Sequence, residues 1–285
     1  MVNKNNEIKP IEYIYNGKTL TFIKPLVMAI VNITPDSFYD GNKYVNVNDV
    51  LKDVEEKIKQ GADIIDIGAA SSRPGAIEIS ETEEWNRLEN ILTEIRSQFK
   101  DIFISVDTYR STIAEKSCQL GVDIINDISG GNFDTEMFKT VARLKIPYVL
   151  MHIKGKPQTM QINPGYQNVF EEVKNELFVK ANILKGLGFD KIIIDPGFGF
   201  GKTVAHNFKL LKNIQELKTL GFPVLAGLSR KSMINKIIKT NPVTALNGTT
   251  VLNTIALLNG SNILRVHDVD EAKQAIELVE FYKNI

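Results

Sequence analysis

Eight short apolar runs recur along the chain and alternate with longer amphipathic stretches. The runs are almost continuous in Ile, Val and Leu, which is typical of parallel strands that are buried on both faces. They are LVMAIVNI, DIIDIG, IFISVD, VDIINDI, IPYVLMHI, KIIIDPG, FPVLAGLS and NILRVHD. The stretches between them have helical periodicity, so the pattern predicts a series of βα units.

The helix between the second and third runs shows this periodicity well. Ser80 and Glu83 form a capping box, which predicts where the helix begins. The preceding helix is predicted to end at Gly61, in the C′ position that favours glycine. The apolar positions of the second helix step by three and four residues and are Trp85, Leu88, Leu92, Ile95 and Phe99.

Residues 11–22 differ, because two alternating runs are joined there by Asn16 and Gly17. This arrangement predicts a β-hairpin, which we expect to cover the bottom of the barrel. Eight βα units without an internal linker favour an α/β fold of the (β/α)₈ TIM-barrel type. An open doubly wound sheet would bury the same strands and remains the alternative. We predict an N-terminal tail and hairpin over residues 1–25 and one barrel over residues 26–285.

Composition and charge exclude several classes of protein. Lys and Arg number 34, as do Asp and Glu, so the formal net charge of the 285 residues is zero. A general nucleic-acid-binding protein carries a basic excess, so we expect no nucleic-acid partner. Cys118 is the only cysteine, which excludes an internal disulfide and a cysteine-based zinc site.

The N-terminus gives no sign of export or of a membrane anchor. The first ten residues are polar and lack the apolar segment of a secretory signal. The apolar stretch 26–31 is too short to span a bilayer. We therefore expect a cytoplasmic protein with no membrane partner.

The predicted strands end in polar residues. In a parallel barrel the reactive groups collect at the C-terminal ends of the strands and in the loops that follow. One polar residue at such an end commonly caps the next helix, but eight in series are harder to explain in that way. The ends are Asn32, Gly68 with Ser71, Ser72 and Arg73 beyond it, Asp107, Asn126, His152, Asp195, Ser229 to Lys231, and Arg265 with His267.

These residues form two chemical groups. Asp107, Asn126 and Asp195 offer carboxylate and amide groups that suit a flat heterocycle with paired N–H donors. The other group suits phosphate or carboxylate. Its members are Arg73, Arg230, Lys231, Arg265 and His267. The predicted substrate is therefore a polar heterocycle that carries an anion.

The glycine-rich segment 195–203 ends in Gly-Lys-Thr without being a nucleotide-binding loop. A Walker loop requires glycine at the position of Pro196, and the dinucleotide-binding spacing is also absent. We interpret the glycines as a tight turn that presents Asp195 and Phe200.

The three histidines are too scattered along the chain to form a metal triad. His152 ends a strand, and two interpretations of it stay open: a residue packed in the core or a residue that lines a site. His206 lies at the start of a predicted helix. His267 follows Arg265 by two residues, and we predict that it is functional.

Taken together and in order, these motifs resemble those of the dihydropteroate synthase family of pterin-binding enzymes. The matching segments are 32–38, 71–76, 106–108, 125–127, 195–202, 229–232 and 265–268. One departure lies before the second segment, where Ala69 and Ala70 replace the Gly and frequent Glu of the family. Ser72 replaces the more usual Thr and keeps the hydroxyl.

The resemblance implies a (β/α)₈ barrel, usually a homodimer, that acts in folate biosynthesis with Mg²⁺. It also implies a transferase that joins 6-hydroxymethyl-7,8-dihydropterin pyrophosphate to p-aminobenzoate. The products would be 7,8-dihydropteroate and pyrophosphate.

The resemblance also assigns roles to residues, motif by motif. The pterin is assigned to Asp107, Asn126, Met151, Asp195 and Lys231. The pyrophosphate is assigned to Asn32, Ser72, Arg73, Arg265 and His267, with Asn32 also reaching the metal. The p-aminobenzoate pocket, where sulfonamides mimic the substrate, is assigned to Ser72, Arg73, Pro74, Phe200, Ser229 and Lys231.

Two alternatives stay open at this point. A pterin-dependent methyltransferase acting on methyltetrahydrofolate would share the pterin-holding residues but would have no use for Arg265 and His267. The other alternative is a non-catalytic pterin-binding module in a larger assembly. Because Arg265 lies at the predicted barrel mouth, we expect its replacement by Ala to reduce turnover far more than stability.

Overall fold

The computed structural model describes residues 10–33, 46–70 and 78–285. An antiparallel hairpin, β1 (Glu12–Tyr15) and β2 (Lys18–Thr21), precedes the parallel strands. These are β3 (Leu26–Asn32), β4 (Ile64–Gly68), β5 (Phe103–Asp107), β6 (Ile124–Asp127), β7 (Tyr148–Met151), β8 (Ile192–Asp195), β9 (Leu225–Ala226) and β10 (Ile263–Val266). Each pairs with its neighbour in sequence, and β10 pairs back with β3. A bridge between Ile194 and Val224 joins β8 to β9. The predicted TIM barrel is confirmed, and the open sheet is excluded.

Helices follow the strands and cover the outside of the barrel. They are α1 (Val47–Lys59), α2 (Glu81–Gln98), α3 (Ser111–Gln119), α4 (Met137–Leu144), α5 (Val169–Gly186), α6 (Val204–Lys212), α7 (Ile214–Leu217), α8 (Ser232–Ile238), α9 (Leu246–Leu258) and α10 (Val269–Lys283). In the described ranges, none of them has the length and apolar character that crossing a membrane requires.

Alternation along each strand places apolar side chains on both faces of the sheet. Val27 and Ile65, for example, face outward and pack in the main core beneath the helices. The inward positions near the strand starts are also apolar, which explains why the runs look continuous in the sequence. They include Met28, Ile64, Ile124, Val149, Ile193, Leu225 and Ile263.

The hairpin closes the N-terminal end of the barrel, as predicted. Tyr13, Leu20 and Phe22 are buried and pack in the same cluster as the inward apolar positions. The Tyr13 hydroxyl also donates to the carbonyl of Ile192 at 2.6 Å. With this end filled, the C-terminal ends of the strands form the open mouth.

The predicted helix boundaries are largely confirmed. Gly61 follows the cap of α1 with φ +97°. The Ser80 Oγ accepts from the Glu83 N–H at 3.1 Å and caps α2. The Glu83 carboxylate, however, pairs with Arg87 at 2.9 Å, so only one of the two bonds of the predicted capping box forms.

Candidate active site

Inward polar side chains from four strands meet in one hydrogen-bonded network at the mouth. Arg265 on β10 donates through Nε to Asp66 Oδ2 on β4 at 2.7 Å, and through Nη2 to Asp107 Oδ2 on β5 at 2.9 Å. Asn126 on β6 donates through Nδ2 to the same Asp66 oxygen at 3.0 Å. Three predicted site residues are therefore brought into one cluster.

Asp66 belongs to this network although it was not predicted from the sequence. Its side chain is fully buried, and its Oδ1 has no hydrogen-bond partner within the part of the chain that is described. Asp66 lies inside an apolar run rather than at a strand end. The available signal was chemical, because a carboxylate in a buried strand requires a cationic or hydrogen-bonding partner.

Burial sets the protonation properties of the mouth. It raises the pKa of the Asp107 carboxyl to about 7, against the opposing effect of the Arg265 guanidinium. It also raises the pKa of Asp195, whose Oδ1 accepts from the Gly197 N–H at 2.7 Å. Burial lowers the pKa of the Lys231 ammonium to about 8, with Asp195 opposing this shift. The Asp107 carboxyl and the Lys231 amine, with pKa values of about 7 and about 8, thus share one mouth.

Acceptors and cations are interlaced at the mouth rather than separated into two groups. Arg265 binds the carboxylates described above, and Lys231 places its Nζ 4.8 Å from the centre of the Phe200 ring. Arg230 does not join them, because its Nε donates to Asp268 Oδ2 at 3.0 Å. Arg230 therefore belongs to an ion pair with the start of α10 instead of the predicted anion-binding group.

The environment of His267 favours its neutral form. Burial, together with the nearby Arg265 and Arg230 cations, lowers the pKa of its imidazole to about 4. The Ser229 Oγ accepts from the His267 backbone N–H at 3.2 Å and lies 3.0 Å from its Nδ1. In the tautomer with the ring proton on Nε2, the serine hydroxyl donates to Nδ1 and the Nε2–H is available as a donor for an anion.

The glycine-rich segment forms the predicted turn after β8. Gly197, Gly199 and Gly201 have φ of +68°, +84° and +63°, a region that glycine adopts without strain. The turn places Phe200 against an apolar cluster that contains Met151.

The other two histidines lie outside the mouth network. His152 is buried, with its Nδ1 2.9 Å from Lys202 Nζ and its Nε2 3.3 Å from Glu176, so the packing alternative holds. His206 is half-buried and its side chain takes part in the capping box of α6 with Thr203.

The metal prediction can be tested on the donors near Asn32. A Cβ placed on Gly68 would lie 3.5 Å from Asn32 Oδ1 and 3.9 Å from Asp107 Oδ2, and the second of these oxygens already accepts from Arg265. Within residues 10–33, 46–70 and 78–285, no group of three or more His, Cys, Asp or Glu side chains could hold a metal. Mg²⁺ commonly takes few protein ligands and completes its shell with water and substrate phosphates, so Asn32 Oδ1 remains the predicted ligand.

A cleft of about 250 Å³ opens beside Asp107. Its lining includes Ala70, Thr108, Tyr109, Ile128 and Phe133. The predicted site residues Ser72, Arg73 and Pro74 lie outside the described residues.

Comparison with known proteins gives a consistent result. Residues 28–267 match the pterin binding enzyme family. The dihydropteroate synthase of Haemophilus influenzae is 41% identical over 256 residues, which cover 89% of this chain and 92% of the relative. A Yersinia pestis dihydropteroate synthase solved with a sulfonamide drug complex superposes with a TM-score of 0.91 at 35% identity, covering 96% of this chain and 100% of the other. The Xanthomonas albilineans enzyme solved with 4-aminobenzoic acid has a TM-score of 0.88 at 35% identity, covering 94% and 97%. The chain therefore belongs to the dihydropteroate synthase family of pterin-binding enzymes.

Proposed function

We propose that the barrel mouth condenses 6-hydroxymethyl-7,8-dihydropterin pyrophosphate with p-aminobenzoate, giving 7,8-dihydropteroate and pyrophosphate in cytoplasmic folate biosynthesis. The observation that carries this proposal is the single mouth in which buried carboxyl groups, an amide, an arginine and a neutral histidine donor face one opening. A polar ring and an anion are both accommodated there.

The pterin ring would bind in the interior of the mouth. Asp107, Asn126 and Asp195 supply acceptors and an amide for the N–H edge of the ring. Met151 and Lys231 would pack beside it, since Met151 pairs in register with Asp195. The raised pKa of the two carboxyl groups shows how strongly burial disfavours their charge, and a cationic ring would compensate for that loss of solvation.

The pyrophosphate would bind closer to the rim. His267 offers Nε2–H, and the Arg265 Nη1 has no partner among the described residues, which leaves its donors for an oxyanion. Asn32 would hold Mg²⁺ through Oδ1, and Ser72 and Arg73 would contribute to pyrophosphate binding. Bound Mg²⁺ would neutralise charge that grows on the leaving group.

The p-aminobenzoate ring would lie against Phe200, near Ser229 and Lys231, with Ser72, Arg73 and Pro74 completing the pocket. The aromatic amine is neutral at pH 7 and needs no strong base. The C–O bond to pyrophosphate breaks, the pterin delocalises the methylene cation, and the amine nitrogen forms the new C–N bond and then loses a proton. Stabilising the leaving anion is thus the main electrostatic task of Arg265 and His267.

Pyrophosphate release tests the proposal directly. With both substrates and Mg²⁺, release should require p-aminobenzoate, fall on chelation of the metal and be inhibited by a sulfonamide in competition with p-aminobenzoate. Asp195→Asn should lower kcat/KM by about 100-fold, as expected for loss of a preorganised charge. Asp190→Asn, an exposed aspartate at the other end of β8, is the matched control. Release that does not depend on p-aminobenzoate would contradict the proposed condensation, whereas no release at all would leave the methyltransferase and binding-module alternatives in place.

We infer that the chain forms a homodimer through α9 and α10. These helices pack together and carry exposed apolar side chains, among them Val251 and Leu258 on α9 and Leu278 and Phe281 on α10. Large exposed apolar side chains on two neighbouring helices are typical of an interface between proteins.

Sedimentation velocity tests this assignment. The L278E/F281E variant should sediment as a monomer while the wild type is a dimer. Phe178→Glu on α5, where the phenylalanine is similarly exposed, should leave the dimer intact. If the L278E/F281E variant were still a dimer, the interface would have to lie on another surface of the chain.

A further inference from the structure

Lys202 is a buried lysine whose ammonium lies beneath the glycine-rich turn. Its Nζ lies 2.9 Å from the Gly197 carbonyl oxygen, 3.0 Å from the Phe200 carbonyl oxygen and 2.9 Å from His152 Nδ1. The side chain is only 3% exposed. A fourth neighbour, the His152 carbonyl oxygen, lies 3.3 Å away. The three carbonyl oxygens can only accept, so Lys202 donates to them, and an ammonium with three N–H donors serves this cluster better than a neutral amine does.

Two further side chains, those of His152 and Glu176, support the Lys202 ammonium through hydrogen bonds. If Nδ1 of His152 accepts from Lys202, the ring proton lies on Nε2, which faces Glu176 at 3.3 Å. Glu176 also pairs with Lys180 at 2.7 Å. Burial lowers the pKa of Lys202 to about 7, whereas Asp195 and Glu176 act in the opposite direction and Lys231 and Lys154 reinforce the lowering. The carboxylate of Glu176 thus stabilises the cation through a neutral imidazole.

The turn above Lys202 is held by side chains along its whole length. Each carbonyl from residue 197 to residue 201 accepts a side-chain hydrogen bond: Gly197 and Phe200 from Lys202, Phe198 from Lys231, Gly199 from Gln161, and Gly201 from Tyr166. Of these donors, Lys202 alone binds two carbonyls, and it does so from the interior. The position of the Phe200 ring therefore depends on it.

We propose that Lys202 is a positioning residue for the p-aminobenzoate half of the reaction, holding the Gly197 and Phe200 carbonyls from inside so that Phe200 is fixed on the substrate side. Because Lys202 is buried, it would act through the turn and not by contacting the substrate. The inference rests on the proposed function, because it takes Phe200 as part of the p-aminobenzoate pocket.

Lys202→Met tests the proposal, since it keeps the apolar stem and removes the donors. We expect kcat/KM for p-aminobenzoate to fall about 100-fold, the effect of a small misplacement, through a raised KM. The KM for pterin pyrophosphate should stay within about twofold of the wild-type value. A purely structural loss would lower the active fraction, and therefore kcat, without moving either KM. Lys154→Met is the matched control, because Lys154 is a neighbouring but exposed lysine.

Two further measurements keep the test decisive. Hydrogen exchange of the 195–203 amides should accelerate in Lys202→Met and not in Lys154→Met, whether or not the chain turns over substrate. Glu176→Gln, which removes the supporting charge, should raise the KM for p-aminobenzoate in the same direction. Unchanged exchange of the 195–203 amides in Lys202→Met would overturn the inference. If Lys202→Met does not fold, an unchanged KM for p-aminobenzoate in Glu176→Gln would overturn it. An inactive wild type would instead overturn the proposed function.

Discussion

Arg265→Ala is expected to lower the free energy of unfolding by about 3–5 kcal/mol, the usual result of breaking a buried ion pair from one side. It should also lower kcat/KM by about 10²–10³-fold through the lost anion donor. The sequence alone suggested a loss of turnover with little loss of stability. The structure changes that expectation, because Arg265 lies between Asp66, which is fully buried, and Asp107.

The stability loss in Arg265→Ala should depend on pH. The pKa of Asp107 in the folded chain is about 7, above its ordinary value of 3.8, so the folded chain binds this proton more tightly than the unfolded chain does. The contribution of Asp107 to stability therefore decreases as pH rises from about 4 to about 7. Removing the guanidinium removes the interaction that lowers this pKa, so the decrease becomes larger and extends to higher pH.

Urea denaturation at pH 5.5 and pH 8 measures both effects. The difference in unfolding free energy between wild type and Arg265→Ala should be larger at pH 8. Arg230→Ala is the control, because the Arg230–Asp268 pair is partly exposed and should contribute at most about 1 kcal/mol. If Arg265→Ala and the wild type had the same unfolding free energy at pH 8, the carboxylates of Asp66 and Asp107 would not need a cation between them.

A site residue was predicted correctly from the sequence where it lies in a strand with regular alternation of inward and outward side chains. Arg265 lies two residues after the inward-facing Ile263, so a regular strand carries it into the barrel as well. Arg230 follows the end of β9 with φ +57°, which breaks the alternation and directs it to Asp268. Its position near a strand end was therefore misleading.

The fold could be predicted from the sequence more completely than the polar contacts inside the barrel. Buried parallel strands produce a continuous apolar pattern whatever their neighbours are, and the hairpin has its own turn signal in Asn16 and Gly17. Asp66 and Lys202, by contrast, acquire their roles from partners far away along the chain, at Arg265 and His152. No local pattern encodes such pairings, because they depend on which strand ends the barrel brings together.

Gly197→Ala should be among the most damaging single-methyl additions to this chain. Its Cβ would lie 1.9 Å from the carbonyl oxygen of His152, and its φ is +68°. Left-handed backbone costs about 1–2 kcal/mol for a residue with a Cβ, and overpacking typically adds about 1–3 kcal/mol. We expect a loss of about 2–5 kcal/mol in unfolding free energy, together with a large loss of activity.

Gly188→Ala separates the two contributions. Gly188 has a similar φ of +75°, but a Cβ there would meet nothing within 4 Å. Its replacement should therefore cost only the backbone contribution of about 1–2 kcal/mol and leave kcat/KM unchanged. Thermal denaturation and pyrophosphate release, measured on both variants, give the comparison.

The activity loss in Gly197→Ala follows from what the peptide carries. The Gly197 N–H donates to Asp195 and its carbonyl accepts from Lys202, so relieving the contact with His152 moves a proposed pterin ligand and the turn beneath Phe200 together. Both substrates should then bind less well, in contrast to Lys202→Met, which should affect p-aminobenzoate alone. If Gly197→Ala were no less active than Gly188→Ala, the turn would have to adjust without moving Asp195, and the close packing against β7 would not be what fixes the site.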